Sequence, residues 1–209
     1  GKDKEVLFCE YSTIEICRNG ELAITCLGEK MEKPDYFWPL LGSTDGFILE
    51  NMLQDAGIPS ILNLRELQVA RSKIATYQRL AQNGIRVPDT MVFFKDSDPG
   101  TLSGRFGFPF VVNPDSGFGG IGVELIHNEQ ELKDYFATLS YGQAYVAQEY
   151  IATSKGRDIR VVVLHGRYYF SMERHASNPD EFRSNVHVGG TTQEKTLTEE
   201  EKVFCEKVA

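Results

Sequence analysis

The chain has 209 residues, 41% hydrophobic and 25% charged, with a formal net charge of −8. That is enough for a sizeable core, in one large domain or two small ones. The acidic balance argues against an extended nucleic-acid footprint, which wants a basic face. No apolar run is long enough to span a bilayer, and the opening residues do not read as a signal peptide. The cysteines at 9, 17, 26 and 205 form no CxxC and read as reduced thiols of a cytoplasmic protein.

In chain order, IEICRNGELAIT predicts a hairpin with Asn19-Gly20 as a two-residue turn. DGFILENMLQDAG predicts a helix, with Gly57 as its left-handed stop and Pro59 just beyond. NLRELQVARSKIATYQRLAQNG predicts a longer helical stretch that starts under Asn63, ends at Gly84 and breaks at Ser72. A strand TMVFF, a polar loop KDSDPGTLSG and a strand FPFVV follow. After a glycine loop come the strand GVELI, the helix NEQELKDYFATL and the buried strand YVAQEYI. DIRVVVLHGRYYFSMER reads as two strands joined at His165-Gly166, and NPDEFRSNVHVGG as a polar loop. TEEEKVFCEKVA starts a helix, with Thr198 as N-cap and Glu201 three residues on. That helix has a start and no stop signal, so the parent protein is expected to continue.

The stretch NPDSGFGGIGVEL holds four glycines within 117–122. Gly117, Gly119 and Gly122 satisfy GxGxxG, but a dinucleotide fingerprint needs a helix to follow, and here VELI follows. A kinase loop lies between strands, yet the chain has no HRD and no DFG. What survives is backbone N–H groups that approach a phosphate chain without Cβ obstruction, or a plain flexible hairpin tip.

Further on, Arg157, Arg160, Arg174 and Arg183 cluster near apolar strands in an acidic chain. Guanidinium suits bidentate phosphate and carboxylate binding. Asn185 and His187 lead into Gly189-Gly190. His165 reads as a turn residue. His175 and His187 lack a second ligand at metal spacing, and the run Glu199–Glu201 reads as helix-dipole chemistry.

These residues carry a resemblance. AQEYIATSKGRDIRVVVLHGRYYFSMERHA and DEFRSNVHVGG closely resemble the RimK-type ATP-grasp carboxylate–amine ligases, a likeness that runs from about Pro34 to the chain end. It implies an α+β ATP-grasp fold, two subdomains gripping ATP, preceded by a small α/β domain and truncated at the C-terminus. The expected division is 1–62 for the partial N-terminal domain, 63–147 for linker helices and small subdomain, and 148–209 for the start of the large subdomain. The implied activity joins a carboxylate to an amine through an acyl phosphate, with an amino acid such as glutamate, or a peptide or protein C-terminal carboxylate, as partner. No nucleic acid or membrane partner is implied, and a homo-oligomer is left open. A catalytically degenerate nucleotide-binding or regulatory module of the same fold is the alternative.

The resemblance also assigns residues. Adenine would lie along Gln148, Glu149, Tyr150 and Ile151, with Asp158 near the ribose and phosphates. Lys73 matches a phosphate-binding lysine, and Ser116, Gly117, Gly119 and Gly120 would cover the β- and γ-phosphates. Arg183 and Asn185 would touch phosphate oxygens. Arg160 and Arg174 would hold the acceptor carboxylate or acyl phosphate, so that Arg160, Arg174 and Asn185 form the catalytic set. Asn113 stands where the family usually has a lysine that meets ATP, a departure that favours the alternative without turnover. The family's magnesium ligands are expected beyond Ala209, with none within this chain.

Overall fold

Side chains alternate faces along a strand, so one strand can feed a core on one side and a cleft on the other. The computed structural model describes residues 6, 14–18, 21–26, 29–30, 34–39, 44–117 and 119–209. It divides into two compact units, Gly1–Gln68 and Val69–Ala209.

In the first unit, β1 (Ile14–Arg18) pairs antiparallel with β2 (Glu21–Cys26), with Arg18 opposite Glu21. The expected hairpin forms; its turn residues Asn19 and Gly20 lie outside the described residues. β3 (Glu29–Lys30) adds to β2. Helix α1 (Thr44–Asp55) stops at Gly57, whose φ of +74° is the left-handed conformation glycine adopts cheaply. Leu49 and Ile58 are buried here. Helix α2 (Leu64–Arg71) starts under Asn63, whose Oδ1 accepts from the N–H groups of Arg65 at 3.0 Å and Glu66 at 3.3 Å. The division between the units falls within α2.

Ser72 leaves the helical conformation, with φ −99° and ψ 122°, and its hydroxyl caps α3 (Lys73–Gln82) by accepting from Ala75 N–H at 3.0 Å. The break expected at Ser72 is therefore present. Next come β4 (Thr90–Phe93), α4 (Pro99–Phe106), β5 (Phe110–Pro114), β6 (Glu124–Ile126), α5 (Glu129–Thr138) and β7 (Tyr145–Glu149). The strands form one antiparallel sheet in the order β4-β7-β5-β6. Phe93, Phe110, Val112, Tyr145 and Ala147 share one face with Leu102 of α4 and Leu132 and Phe136 of α5. Fully burying such side chains is worth about 1.5–3 kcal/mol each, so this face holds the sheet and its helices together.

The stretch KDSDPGTLSG corrects one expectation, since its second half is helix α4 and not loop. Asp98 accepts from the N–H groups of Gly100 and Thr101 as N-cap, and Pro99 sits in the first turn, where its missing N–H costs nothing.

The remaining strands, β8 (Arg157–Leu164), β9 (Arg167–His175) and β10 (Thr191–Glu194), form an antiparallel sheet in the order β10-β9-β8. The β8–β9 turn is His165-Gly166, with φ of +50° and +73°, a two-residue hairpin as expected. β10 is an element for which the sequence offered no signal: TTQE has no apolar alternation and pairs with β9 as an exposed edge. Helix α6 (Glu199–Val208) carries the capping box of Thr198 and Glu201. It docks on the sheet where the Glu206 carboxylate accepts from Tyr168 N–H at 2.8 Å.

Candidate functional site

The face of β5 away from the core carries Val111 and Asn113, opposite Gln148 and Val146 of β7. Val111 and Gln148 open onto a cleft of about 250 Å³ between the two sheets of the second unit. Its floor is the end of β7 and the following turn, Gln148 to Ile151, and its far wall is Asp158 with the segment Phe182 to Asn185. The β7 strand is apolar and continuous, so Gln148 is buried, with its Nε2 donating to Thr90 Oγ1 at 3.1 Å. Glu149 is clipped to the chain across from it: its Oε1 accepts from Asp89 N–H at 3.1 Å and its own N–H donates to Asp89 O at 3.0 Å.

Asp158 and Arg174 stand opposite each other on β8 and β9. The guanidinium grips the carboxylate with two N–H groups, Nε to Oδ1 at 2.7 Å, and Ser184 Oγ donates to Oδ2 at 2.7 Å. Burial pushes the Asp158 carboxyl up, but these hydrogen bonds and the charges of Arg174 and Arg160 outweigh it, and the net shift is down. Arg160 lies two residues along, on the same face of β8, and is exposed.

The glycine loop leaves the end of β5 and lies against the far wall. Arg183 Nη1 donates to Gly120 O at 3.2 Å. A Cβ at Gly120 would stand 2.8 Å from Asn185 Oδ1, and one at Gly119 3.0 Å from the His187 ring. Gly119 and Gly120 have positive φ, +70° and +81° respectively, so the loop needs them for conformation and for close approach.

Lys73 is placed at the base of the loop. Its amine donates to the carbonyls of Pro114 at 2.8 Å and Asp115 at 3.1 Å. Burial lowers its pKa, and the Asp115 charge offsets part of that. Asp115 in turn accepts from Ser72 Oγ at 3.0 Å and Ile74 N–H at 2.8 Å, tying the start of α3 to the start of the loop.

Eight of the residues singled out from the sequence therefore line one cleft: Gln148, Glu149, Tyr150, Ile151, Arg157, Asp158, Arg183 and Asn185. Arg174 and Gly120 reach it through single hydrogen-bonded partners, Asp158 and Arg183. Lys73, Asn113, Ser116, Gly117, Gly119 and Arg160 do not line it. The cleft also takes in Tyr77, Lys155, Phe182 and Ser184, which sequence reasoning passed over. Lys155 and Ser184 sit beside motif residues and were reachable from SKGRD and FRSN; Tyr77 looked like one more helix residue. Among the described residues, no group of three His, Cys, Asp or Glu is arranged to hold a metal ion.

A four-stranded antiparallel sheet with helices on one face, facing a second sheet across a cleft, with a glycine loop held to the far wall by Arg183, defines a two-subdomain α+β architecture. The chain belongs to the RimK-like ATP-grasp domain family, whose pattern it matches over residues 70–209. It is 32% identical over 187 residues to a "Probable alpha-L-glutamate ligase" of Serratia proteamaculans, covering 87% of this chain and 62% of that protein. It is 33% identical to the "Ribosomal protein bS6--L-glutamate ligase" of Escherichia fergusonii, with the same coverage of 87% and 62%. The chain thus spans about three fifths of the length of the curated relatives it matches. A solved D-alanine–D-alanine ligase from Bacillus anthracis matches in fold, with a TM-score of 0.65 at 24% identity over 83% of this chain and 59% of that one. The expected α+β ATP-grasp fold is the fold observed. Among the described residues, no helix is long and apolar enough to cross a membrane.

Proposed function

We propose that the parent protein is an ATP-dependent ligase that joins a carboxylate to an amine, with glutamate as the first amine to test. The observation that carries this is the cleft itself. Gln148 to Ile151 line it on one side, and Asp158, Arg183 and Asn185 on the other, with Arg183 hydrogen-bonded to the glycine loop at Gly120. The residues fit a nucleotide: an apolar and main-chain floor for a base, then a carboxylate, then guanidinium and amide donors. ATP, when bound, supplies the γ-phosphoryl group that activates the acid. The acid's carboxylate attacks the γ-phosphorus, giving an acyl phosphate and ADP, and the amine then displaces phosphate to form the amide. Such transfer asks for positioning and for cations that match the spreading negative charge, not for a protein nucleophile.

Within this reading, Asp158 binds the ribose side and holds Arg174 in place, and Arg183 and Asn185 face phosphate oxygens. The exposed guanidinium of Arg160 meets the acid. Magnesium belongs to the proposal, with carboxylate ligands expected downstream of Ala209. A protein C-terminal carboxylate is the proposed acceptor class, since one relative is named for glutamate addition to a ribosomal protein.

A second reading is a nucleotide-binding module without turnover. Asn113 and the commitment of the Lys73 amine to Pro114 and Asp115 carbonyls favour it. One experiment separates the two: ADP release by the full-length parent with ATP, magnesium, glutamate and peptides bearing free C-termini. Amine-dependent ADP release supports the ligase. ATP binding by calorimetry without ADP release supports the module, and no ATP binding defeats both.

A further inference from the structure

We propose that Glu181 is a positioning residue, which sets the Arg183 guanidinium so that its remaining edge holds the glycine loop at Gly120. This rests on the nucleotide-site reading above and adds a residue that does not itself line the cleft. Glu181 and Arg183 form a fork, with Nε donating to Oε1 at 3.0 Å and Nη2 to Oε2 at 2.8 Å. The Arg183 backbone N–H also donates to Oε1, at 2.9 Å. That leaves Nη1 as the outward edge, and it donates to Gly120 O at 3.2 Å.

Both partners of the fork are fixed from behind. The Glu181 N–H donates to Asn178 Oδ1 at 3.0 Å. The Phe182 ring lies 5.8 Å from the guanidinium carbon of Arg183 and meets Tyr150 edge-on at 6.5 Å. Phe182 O accepts from Gly156 N–H at 3.0 Å. A long flexible side chain is thereby reduced to one orientation, the condition under which a planar fork gives geometry as well as attraction. On the loop side, only a residue without Cβ lets Gly120 come this close to Asn185. Arg183 holds the Glu181 carboxyl far below its ordinary range, at about 2, so the fork is intact at any neutral pH.

The test uses two measurements on the full-length parent. Hydrogen exchange without nucleotide should show the amides of Gly119, Gly120 and Ile121 exchanging about fivefold faster in Glu181→Gln, with Val161 and Phe170 in the sheet unchanged. ATP titration should show Glu181→Gln weakening binding about three- to tenfold, with no further loss from it in an Arg183→Lys background, and part of the loss recovered in Glu181→Asp. Unchanged loop amides in Glu181→Gln, or losses from the two substitutions that simply add, would overturn the proposal. If the unsubstituted full-length parent binds no ATP, the nucleotide reading fails, and the exchange measurement still decides the role of Glu181.

Discussion

Arg174 and Asp158 face each other across β8 and β9 with a two-point grip, Nε to Oδ1 at 2.7 Å, and Ser184 Oγ completes the carboxylate's partners. Arg174 is thus occupied by a neighbour, while Arg160, on the same face, stays exposed. Behind the Asp158 wall of the cleft, one face of the β8–β9 sheet thus carries a pinned guanidinium and an open one.

The first prediction concerns that grip. Asp158→Asn should destabilise the fold by about 1 kcal/mol, because the carboxylate is partly exposed and water replaces some of what is lost. Arg174→Met should cost a similar amount, and the double substitution less than the sum. Urea unfolding of the four proteins measures the coupling, and strict additivity would contradict the pairing.

Asn113 is the second site. It sits on the cleft-facing side of β5, two residues from Val111. Asn113→Lys should tighten ATP binding by roughly 1–3 kcal/mol, since a charged donor replaces a neutral one. Calorimetric titration with unchanged or poorer affinity would remove Asn113 from the phosphate path.

Acid stability gives a third outcome. Glu181 is depressed from 4.5 to about 2, chiefly by the Arg183 hydrogen bonds. A carboxyl with a lowered folded-state pKa contributes stability above its unfolded value, and loses it as pH falls through the folded one. The advantage of the unsubstituted chain over Glu181→Gln should therefore be constant above about pH 5 and disappear between 4.5 and about 2. Thermal unfolding across that range, with a difference that does not shrink, would contradict the fork.

Two glycines should respond oppositely to alanine. At Gly190 a Cβ would lie 2.4 Å from Ser184 O and 2.9 Å from Ser184 C, both backbone atoms. Gly190→Ala should cost about 1–3 kcal/mol and disturb Ser184 against Asp158. Gly104 lies in α4 with nothing within 4 Å of its would-be Cβ. Gly104→Ala should stabilise by about 0.5–1 kcal/mol, because alanine loses less backbone entropy in a helix. Paired melting curves with the same sign of shift would contradict this reading.

Much of the architecture was legible before any coordinates. The break at Ser72, the stop at Gly57, the His165-Gly166 turn and the capping box at Thr198 are local matters of backbone conformation and nearby hydrogen bonds. Helix α4 hid behind SDPGTLSG, where turn-forming residues at its start masked a good cap at Asp98. β10 hid because a strand recruited by pairing with β9 needs no apolar alternation of its own.

What the sequence by itself determined is the order and kind of most elements, and the family likeness carried by QEYI, GRDIR and FRSN. Those signals are short-range, and residues a few places apart are enough to produce them. Only the tertiary structure decided which arginine is pinned and which is open, that Lys73 turns to the carbonyls of Pro114 and Asp115, and that Glu181 braces Arg183 against Gly120. Those outcomes depend on the start of α3 meeting the end of β5, on the register of β8 against β9, and on the loop of Glu181 and Arg183 meeting the glycine loop, and spacing along the chain does not specify such meetings.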